Sequence, residues 1–400
     1  MDLPLGLQNL GNTCYMNATV QCLKTVPALT DSLKTFSGHV AVPDTQTSVT
    51  AALRDVYLTM DKGAALPPLI LVQALHKAFP RFAERDNHGQ LAQQDANECW
   101  TELVRTLQQK LPAEEATKYP SIIDQFMGGR FSVEMKCDEA EEEPASVSTE
   151  SFLQLSCFIE TDTRYMHSGL ISKLTEKITK NSPSLSRDAL YTKSSKVDRL
   201  PAYLTVQMVR FYYKEKQGGG GVNAKILKDV KFPMILDVYD LCTKRLQEKL
   251  LPMREKFKEW EDEEAQRKSA MKDKPKALKG QDGDAKPVNF APYHFADDLG
   301  SNNSGFYELQ AVLTHKGRSS SSGHYVAWVK HSADVWLMCD DDKVHTVTTE
   351  DVLKLSGGGD WHVAYVLLYG PRKLELAEGK TIEPVRCQVT EGETEPMTTD

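Results

Sequence analysis

The hydrophobic pattern of this chain changes its period partway along, and that change constrains the fold. In the first 120 residues apolar side chains recur at helical spacing, which predicts helices at 14–26, 69–79 and 96–111. From Phe152 onward apolar and polar residues alternate with the two-residue period of a strand. Strands are predicted around 204–208, 307–314, 325–330, 335–340 and 362–369. Helices followed by strands predict an α+β fold with an antiparallel sheet.

Composition bounds the class of protein. The chain has 400 residues, of which 40% are hydrophobic and 26% charged, with a formal net charge of −8. The negative charge disfavours nucleic acid or an anionic membrane as the main partner and fits a basic one. No run approaches the ~18 apolar residues of a membrane span, and no signal peptide precedes Leu3. Eight irregularly spaced cysteines predict reduced thiols, so we expect a cytoplasmic protein, with the nucleus as an alternative.

Cys14 is the candidate nucleophile. It follows a turn at Gly11 and Asn12 and lies at the start of the first predicted helix. The unpaired N–H groups and the positive dipole end of a helix start stabilise a thiolate, which is the reactive form of cysteine. The alternative is a buried helical cysteine, a common position for this residue.

His324 is the candidate base. It begins a strand after a serine-rich loop, and the next predicted strand ends in three aspartates. Simple hairpin pairing of positions that sum to about 665 places His324 beside Asp340 or Asp341. Side-chain alternation favours Asp340 as the acid that orients the imidazole, and Asp341 remains the alternative. His362 is the rival base, although it begins a strand predicted to be buried.

An acyl-transfer site also needs hydrogen-bond donors for the oxyanion of its transition state. The backbone N–H of Cys14 is one candidate and the side-chain amide of Asn9 is the other. Asn12 and Asn17 compete for this role, although Asn12 is more simply interpreted as a turn or cap residue.

Several segments resemble signatures of the ubiquitin-specific proteases. Residues 9–23 resemble the cysteine box of that family, and residues 323–326 with 339–341 resemble its histidine box. Residues 93–98, 200–211 and 364–369 are similar to three further family signatures, and all five lie in the family's order. The resemblance implies a papain-like fold in which a helical thumb covers about 1–120 and the palm and fingers cover 121–375. Composition predicts a flexible charged insertion at about 252–289 and a disordered tail at 376–400. Within that insertion, 254–268 is a candidate solvated helix and 272–286 the disordered part.

The same resemblance implies hydrolysis of the isopeptide bond after the C-terminal glycine of ubiquitin. The implied catalytic residues are Cys14, His324, Asp340 and Asn9. The side chains expected to contact ubiquitin are those of Gln94, Asp95, Tyr325, Ser321 and Ser322. Asp95 has a second interpretation as the N-cap of the helix at 96–111.

The loop at 319–322 is predicted to gate the cleft, with a plain solvated loop as the alternative. No cofactor is expected. A zinc ribbon is not expected because Cys137 and Cys157 lack the paired Cys-x-x-Cys spacing that binds zinc.

Residues 94–100, 318–330 and 356–369 resemble the proteasome-associated branch of the family. Members of that branch carry an N-terminal ubiquitin-like domain that docks them on the proteasome. We expect this chain to be the catalytic domain without that docking domain, and the resemblance implies the proteasome as a partner. Two alternatives remain: a ubiquitin-binding scaffold with a closed or inactive cleft, and a papain-like hydrolase acting on peptides or other ubiquitin-like modifiers.

Overall fold

A computed structural model describes residues 4–63, 67–114, 117–215, 221–272, 289–320, 322–377 and 380–386. Its helices are α1 (Cys14–Leu23), α2 (Pro27–Thr35), α3 (Thr45–Asp61), α4 (Leu69–Ala78), α5 (Ala96–Lys110), α6 (Ile122–Phe126), α7 (Met166–Ile171), α8 (Lys244–Lys272) and α9 (Thr349–Leu353). The three helices predicted from the sequence correspond to α1, α4 and α5. Within the described residues, no helix combines the length and apolar character that crossing a bilayer requires.

The strands follow the first group of helices, as predicted, but they begin at Gly129 and not at Phe152. They are β1 (Gly129–Cys137), β2 (Ser146–Phe152), β3 (Leu155–Phe158), β4 (Thr175–Ser182), β5 (Arg187–Arg199), β6 (Leu204–Val209), β7 (Phe211–Glu215), β8 (Gly221–Lys225), β9 (Ile235–Asp237), β10 (Asn289–Phe290), β11 (Phe306–Lys316), β12 (His324–Lys330), β13 (Val335–Asp340), β14 (Lys343–Thr348), β15 (Val363–Pro371) and β16 (Glu375–Leu376). An eight-stranded sheet runs in the order β14-β13-β12-β11-β15-β6-β3, with β9 paired to β11. A four-stranded sheet has the order β2-β1-β5-β4, and β7 and β8 form a separate hairpin.

The central strands of the large sheet are buried on both faces, and this positions the helix that carries Cys14. Alternate residues of β12 enter different cores. Tyr325 and Ala327 join the core between the helices and the sheet, whereas Val326 and Trp328 join the core on the opposite face. The helix α1, whose residues are all buried, packs against β12, β11 and α5. The start of α1 is therefore held beside the start of β12.

Helices α2 and α3 were not predicted from the sequence. Helix α3 is rich in threonine, which masks its helical period, yet Val49, Leu53 and Tyr57 are buried at four-residue spacing. Asp44 caps this helix by accepting a hydrogen bond from the backbone N–H of Gln46. This buried stripe and its cap are the signals that sequence inspection missed.

In the predicted insertion at 252–289, the candidate helix at 254–268 is confirmed, but its expected flexibility is wrong because this part is packed on the protein. Helix α8 continues through Pro252 to Lys272, and Met253 and Phe257 are buried in a small core with Leu374. Residues 273–288 lie outside the described part of the chain.

The predicted free tail also begins too early. Strand β16 pairs with β10, and Leu376 and Ile382 pack against the core formed by α8. The expectation for 387–400 falls outside the described residues.

Candidate active site

Cys14 is the first residue of α1, as the sequence predicts. The preceding turn has left-handed backbone at Gly11 and Asn12, with φ of 100° and 50°. The Asn9 side chain closes this turn by accepting hydrogen bonds from the backbone N–H groups of Gly11 at 2.9 Å and Thr13 at 3.2 Å. The geometry directs the chain into the helix at Cys14 and leaves that residue 2% exposed.

His324 lies between Cys14 and an acid. Its Nε2 donates to Asp340 Oδ1 at 2.6 Å, whereas Asp341 Oδ2 is 3.9 Å away. The hydrogen bond with Cys14 is the largest influence on the pKa of the His324 imidazole. Together with Asp340 it outweighs burial and raises the pKa of His324 to about 9. The geometry therefore favours a protonated imidazole beside the cysteine at neutral pH, and it selects Asp340 over Asp341 as the hydrogen-bonding acid.

The hairpin register differs by one residue from the predicted one. Trp328 pairs with Met338, whereas pairing about a sum of 665 would place it opposite Leu337. Regular pairing of β12 with β13 begins at Ala327 and Cys339, so His324 reaches Asp340 beyond the end of the paired region. The predicted contact is present, although it does not arise from directly opposed positions.

Asp341 has separate partners. Its backbone is left-handed, with φ of 52°, and its carboxylate accepts hydrogen bonds from the side-chain amides of Asn9 at 3.0 Å and Asn17 at 2.9 Å. Its carbonyl accepts from the backbone N–H of Leu7 at 2.8 Å. Two adjacent aspartates thus hold two different elements: Asp340 holds the imidazole, and Asp341 holds the segment that precedes Cys14.

Hydrogen bonds hold the side chains of Asn9 and Asn12 in place. The Asn9 amide nitrogen donates to Asp341, which places it in the turn before Cys14, and its action as an oxyanion donor stays a prediction. Asn12 donates to the carbonyl of Leu91 at 2.7 Å, in keeping with its interpretation as a turn residue.

Gln93 is a site residue that sequence reasoning did not select. Its Nε2 lies 3.4 Å from Cys14 Sγ and donates to the carbonyl of Gly323 at 3.1 Å. The sequence interpretation chose Gln94 and Asp95 from the same segment. Because both glutamines precede the N-cap of a helix, no sequence signal distinguishes the one that faces the sulfur.

Asp95 caps α5, which was one of its two predicted roles. Its Oδ1 accepts from the backbone N–H groups of Asn97 at 2.7 Å and Glu98 at 3.2 Å, and the Tyr365 hydroxyl donates to the same carboxylate. Burial raises the pKa of Asp95 above its usual value. Tyr325 is buried in a neighbouring aromatic cluster with His315 and Tyr365. Contacts of Gln94, Asp95 and Tyr325 with ubiquitin stay predictions.

The serine-rich loop is described in part. Ser321 lies outside the described residues, so its predicted contact and the gating of the cleft stay predictions. The carbonyl of Ser322 lies 3.0 Å from His315 Nε2, and Gly323 follows with φ of 112°. This geometry fixes the entry of the chain into β12.

His362, the rival base, is buried near Thr314. Burial, followed by the charges of His324 and Lys316, lowers the pKa of His362 to about 4. A base in that environment does not compete with His324.

One group of described residues could hold a metal ion. The ligand atoms of His324, Asp340 and Asp341 lie within 4.8 Å of one another. Hydrogen bonds between His324 and Asp340, and from Asn9 and Asn17 to Asp341, already account for this arrangement. Cys137 and Cys157 lie in separate cores and do not form a shared zinc site.

Comparison with known proteins identifies the family. A family model described as "Ubiquitin carboxyl-terminal hydrolase" matches residues 5–369. The chain is 41% identical over 385 residues to Ubiquitin carboxyl-terminal hydrolase 6 of Arabidopsis thaliana, covering 93% of this chain and 78% of the relative. It is 41% identical over 380 residues to Ubiquitin carboxyl-terminal hydrolase 6 of Schizosaccharomyces pombe, covering 92% and 78%. It is 38% identical over 407 residues to Ubiquitin carboxyl-terminal hydrolase 14 of Caenorhabditis elegans, covering 98% and 78%.

The fold has solved counterparts as well. A chain of the SAGA Ubp8/Sgf11/Sus1/Sgf73 DUB module bound to ubiquitin aldehyde matches with a TM-score of 0.61 at 20% identity, covering 92% of this chain and 69% of that one. This likeness supports the α+β papain-like fold. The sequence matches, extending over nearly the whole chain, establish that the protein belongs to the ubiquitin carboxyl-terminal hydrolase family and is a cysteine-dependent deubiquitinase.

Proposed function

We propose that this chain hydrolyses the isopeptide bond that joins the C-terminal glycine of ubiquitin to a lysine amine. The observation that carries the proposal is the placement of His324 between the Cys14 thiol and the Asp340 carboxylate, with its pKa raised by both. This is the arrangement that a thiolate nucleophile and its proton donor require. Family membership supports ubiquitin as the substrate.

The reaction follows from these positions. The Cys14 thiolate attacks the glycine carbonyl carbon, and the carbonyl oxygen gains negative charge in a tetrahedral intermediate. The Cys14 backbone N–H and the Asn9 amide are the proposed donors to that oxygen. His324 gives its proton to the leaving lysine amine as the C–N bond breaks, which leaves a thioester. Water, deprotonated by His324, then hydrolyses the thioester and restores the thiol.

The site needs a local rearrangement before it accepts substrate. Cys14 is 2% exposed, and the Gln93 amide lies against its sulfur. A shift of the Gln93 amide from the sulfur toward the carbonyl oxygen of the bound substrate would uncover Cys14 and keep the amide as a donor at the reacting atoms. The burial of Cys14 also favours the second candidate, a ubiquitin-binding scaffold with a closed cleft.

A ubiquitin probe with a C-terminal electrophile separates the two candidates. The enzyme interpretation predicts a covalent adduct at Cys14 that is lost in Cys14→Ala. Cys137→Ala is the matched control, since Cys137 is equally buried in the small core of the four-stranded sheet, and it should retain the adduct. Binding without an adduct supports the scaffold. Reaction with the probe of a different modifier, but not with ubiquitin, supports another papain-like hydrolase.

We also propose the proteasome as a partner, in the cytoplasm, with the nucleus as the alternative compartment. The support is the resemblance of residues 94–100, 318–330 and 356–369 to the proteasome-associated branch of the family. Purified proteasomes mixed with the protein should increase the rate of probe labelling. An unchanged rate, together with no co-sedimentation, would remove this partner.

A further inference from the structure

Lys225 is a buried cation close to the active site that the reaction does not use. It ends β8, is 8% exposed, and its ammonium contacts the carbonyl oxygen of His315 at 2.6 Å and the Nδ1 of His315 at 3.0 Å. Burial, followed by the charge of Arg210, lowers the pKa of Lys225 to about 8, so the ammonium remains the main form at neutral pH. A buried charge is costly unless it makes such contacts.

These contacts determine which nitrogen of His315 carries the proton. An ammonium has only donors, so the Nδ1 that it contacts must be an acceptor. Burial and the charge of Lys225 lower the pKa of His315 to about 3, so its ring is neutral. The single ring proton is therefore on Nε2, which donates to the carbonyl of Ser322 at 3.0 Å.

The Ser322 carbonyl belongs to the segment that delivers the catalytic histidine. Gly323 packs so closely on the ring that a Cβ there would lie 2.7 Å from His315 Nε2. The carbonyl of Gly323 in turn accepts from Gln93, and His324 follows directly. The His315 ring therefore hydrogen-bonds to Ser322 and packs against Gly323, the two residues that precede His324.

Lys225 also ties a second element to this segment. Its backbone N–H donates to the carbonyl of Arg318 at 3.1 Å, and Ala224 forms an isolated bridge with Ser319. The β7–β8 hairpin is therefore joined to the loop before β12 by backbone contacts of Ala224 and Lys225, and to β11 by the contact of the Lys225 side chain with His315.

We propose that Lys225 is a positioning residue for the deubiquitinase reaction: by holding His315 in its Nε2-protonated form, it fixes the Ser322–Gly323 backbone and hence the place of His324. The proposal rests on the catalytic role of His324. If the proposed function fails, the unsubstituted protein is inactive or His324→Ala keeps its activity. If only the present proposal fails, the unsubstituted protein depends on His324 and Lys225→Met remains fully active.

Lys225→Met tests the proposal, because methionine replaces the stem of lysine and removes the donor. We expect kcat for a ubiquitin–fluorophore substrate to fall roughly tenfold with KM within about twofold, since small displacements of a catalytic group cost up to ~10² in rate. Lys228→Met is the matched control. Lys228 follows the same strand and contacts the carbonyl of Glu160 at 3.0 Å, and its replacement should leave kcat unchanged.

Imidazole ¹⁵N spectra add a readout that a merely structural role would not move. His315, assigned with His315→Gln, should be neutral and protonated on Nε2 in the unsubstituted protein, and Lys225→Met should populate the Nδ1-protonated form. A His315 protonated on Nδ1 in the unsubstituted protein would overturn the proposal even if Lys225→Met does not fold. An unchanged kcat in folded Lys225→Met, or a loss equal to that in Lys228→Met, would overturn it as well.

Discussion

The carboxylate of Asp341 accepts a hydrogen bond at 3.0 Å from the side-chain amide of Asn9, 332 residues earlier in the chain. This bond joins the end of the β12–β13 hairpin to the turn that precedes Cys14. Asp340 meanwhile holds His324. Neighbouring carboxylates therefore position the two sides of the active site, one for the base and one for the proposed oxyanion donor.

Asp341→Ala should reduce catalysis through Asn9. Without the carboxylate, the amides of Asn9 and Asn17 lose their shared acceptor, and the turn before Cys14 is free to rearrange. We expect kcat to fall by about 10²-fold, the magnitude typical of losing one oxyanion donor. Steady-state hydrolysis of a ubiquitin–fluorophore substrate measures this. Asp342→Ala is the control, and equal losses in the two variants would contradict the assignment.

The activity of the enzyme should persist to high pH. The pKa of His324 is raised to about 9 by Cys14 and Asp340, so its imidazolium is available to protonate the leaving amine until pH approaches that value. The pH profile of kcat/KM should show its alkaline limb near 9. In Asp340→Asn, which removes a charge that stabilises the imidazolium, this limb should move to lower pH. An alkaline limb near pH 6.5, the usual pKa of histidine, in both proteins would contradict the effect of Cys14 and Asp340 on the pKa of His324.

The raised pKa of His324 also makes the free energy of unfolding depend on pH. The pKa of folded His324 lies above its usual value of 6.5, so its contribution to the free energy of unfolding is complete below about pH 6.5. That contribution is lost as pH rises through about 9. Urea unfolding at pH 6 and pH 10 should show a smaller decline for His324→Ala than for the unsubstituted protein. Parallel declines would show that His324 does not titrate as described.

Gln93 and Gln94 should differ in the kinetic parameter that they affect. The Gln93 amide lies against the sulfur of Cys14, so Gln93→Ala should lower kcat, by about tenfold, through loss of a donor at the reacting atoms. Gln94 was predicted from the sequence to contact ubiquitin, so Gln94→Ala should raise KM with kcat little changed. A rise in KM alone for Gln93→Ala would place that residue in substrate binding instead.

Asp95 offers a test of stability. It caps α5 and accepts from Tyr365, so Asp95→Ala should cost about 1–2 kcal/mol in the free energy of unfolding. Asp95→Asn keeps a good cap and removes a partly buried charge whose pKa is raised by desolvation, so it should cost less. Urea unfolding at pH 7 compares the two. Equal losses would show that the carboxylate charge, rather than the cap, stabilises the helix.

Local patterns in the sequence predict much of this site. Neighbouring residues predict the helix start at Cys14 and the cap at Asp95. The alternation of apolar and polar residues predicts strands after Phe152. The hairpin register was wrong by one residue because the connection from His331 to Asp334 carries no glycine or other strong turn signal that fixes the loop length.

The contacts that complete the site could not be predicted from local patterns. The bond between Asn9 and Asp341 joins residues more than 300 positions apart, and Asn9 also has local partners in its own turn. Gln93 faces the sulfur only because the segment before α5 crosses the start of α1 in the folded chain. Long-range packing, and not the identity of neighbouring residues, decides both.

During turnover, Cys14 should form a covalent bond to the carbonyl carbon of the ubiquitin C-terminal glycine. Acid quenching of a single-turnover reaction with an isopeptide-linked ubiquitin substrate, followed by intact mass and peptide analysis, measures this bond directly. We expect a transient ubiquitin thioester on Cys14 that hydroxylamine cleaves and that is absent, along with turnover, in Cys14→Ala. Undiminished hydrolysis by Cys14→Ala, or a thioester on a different cysteine, would contradict it.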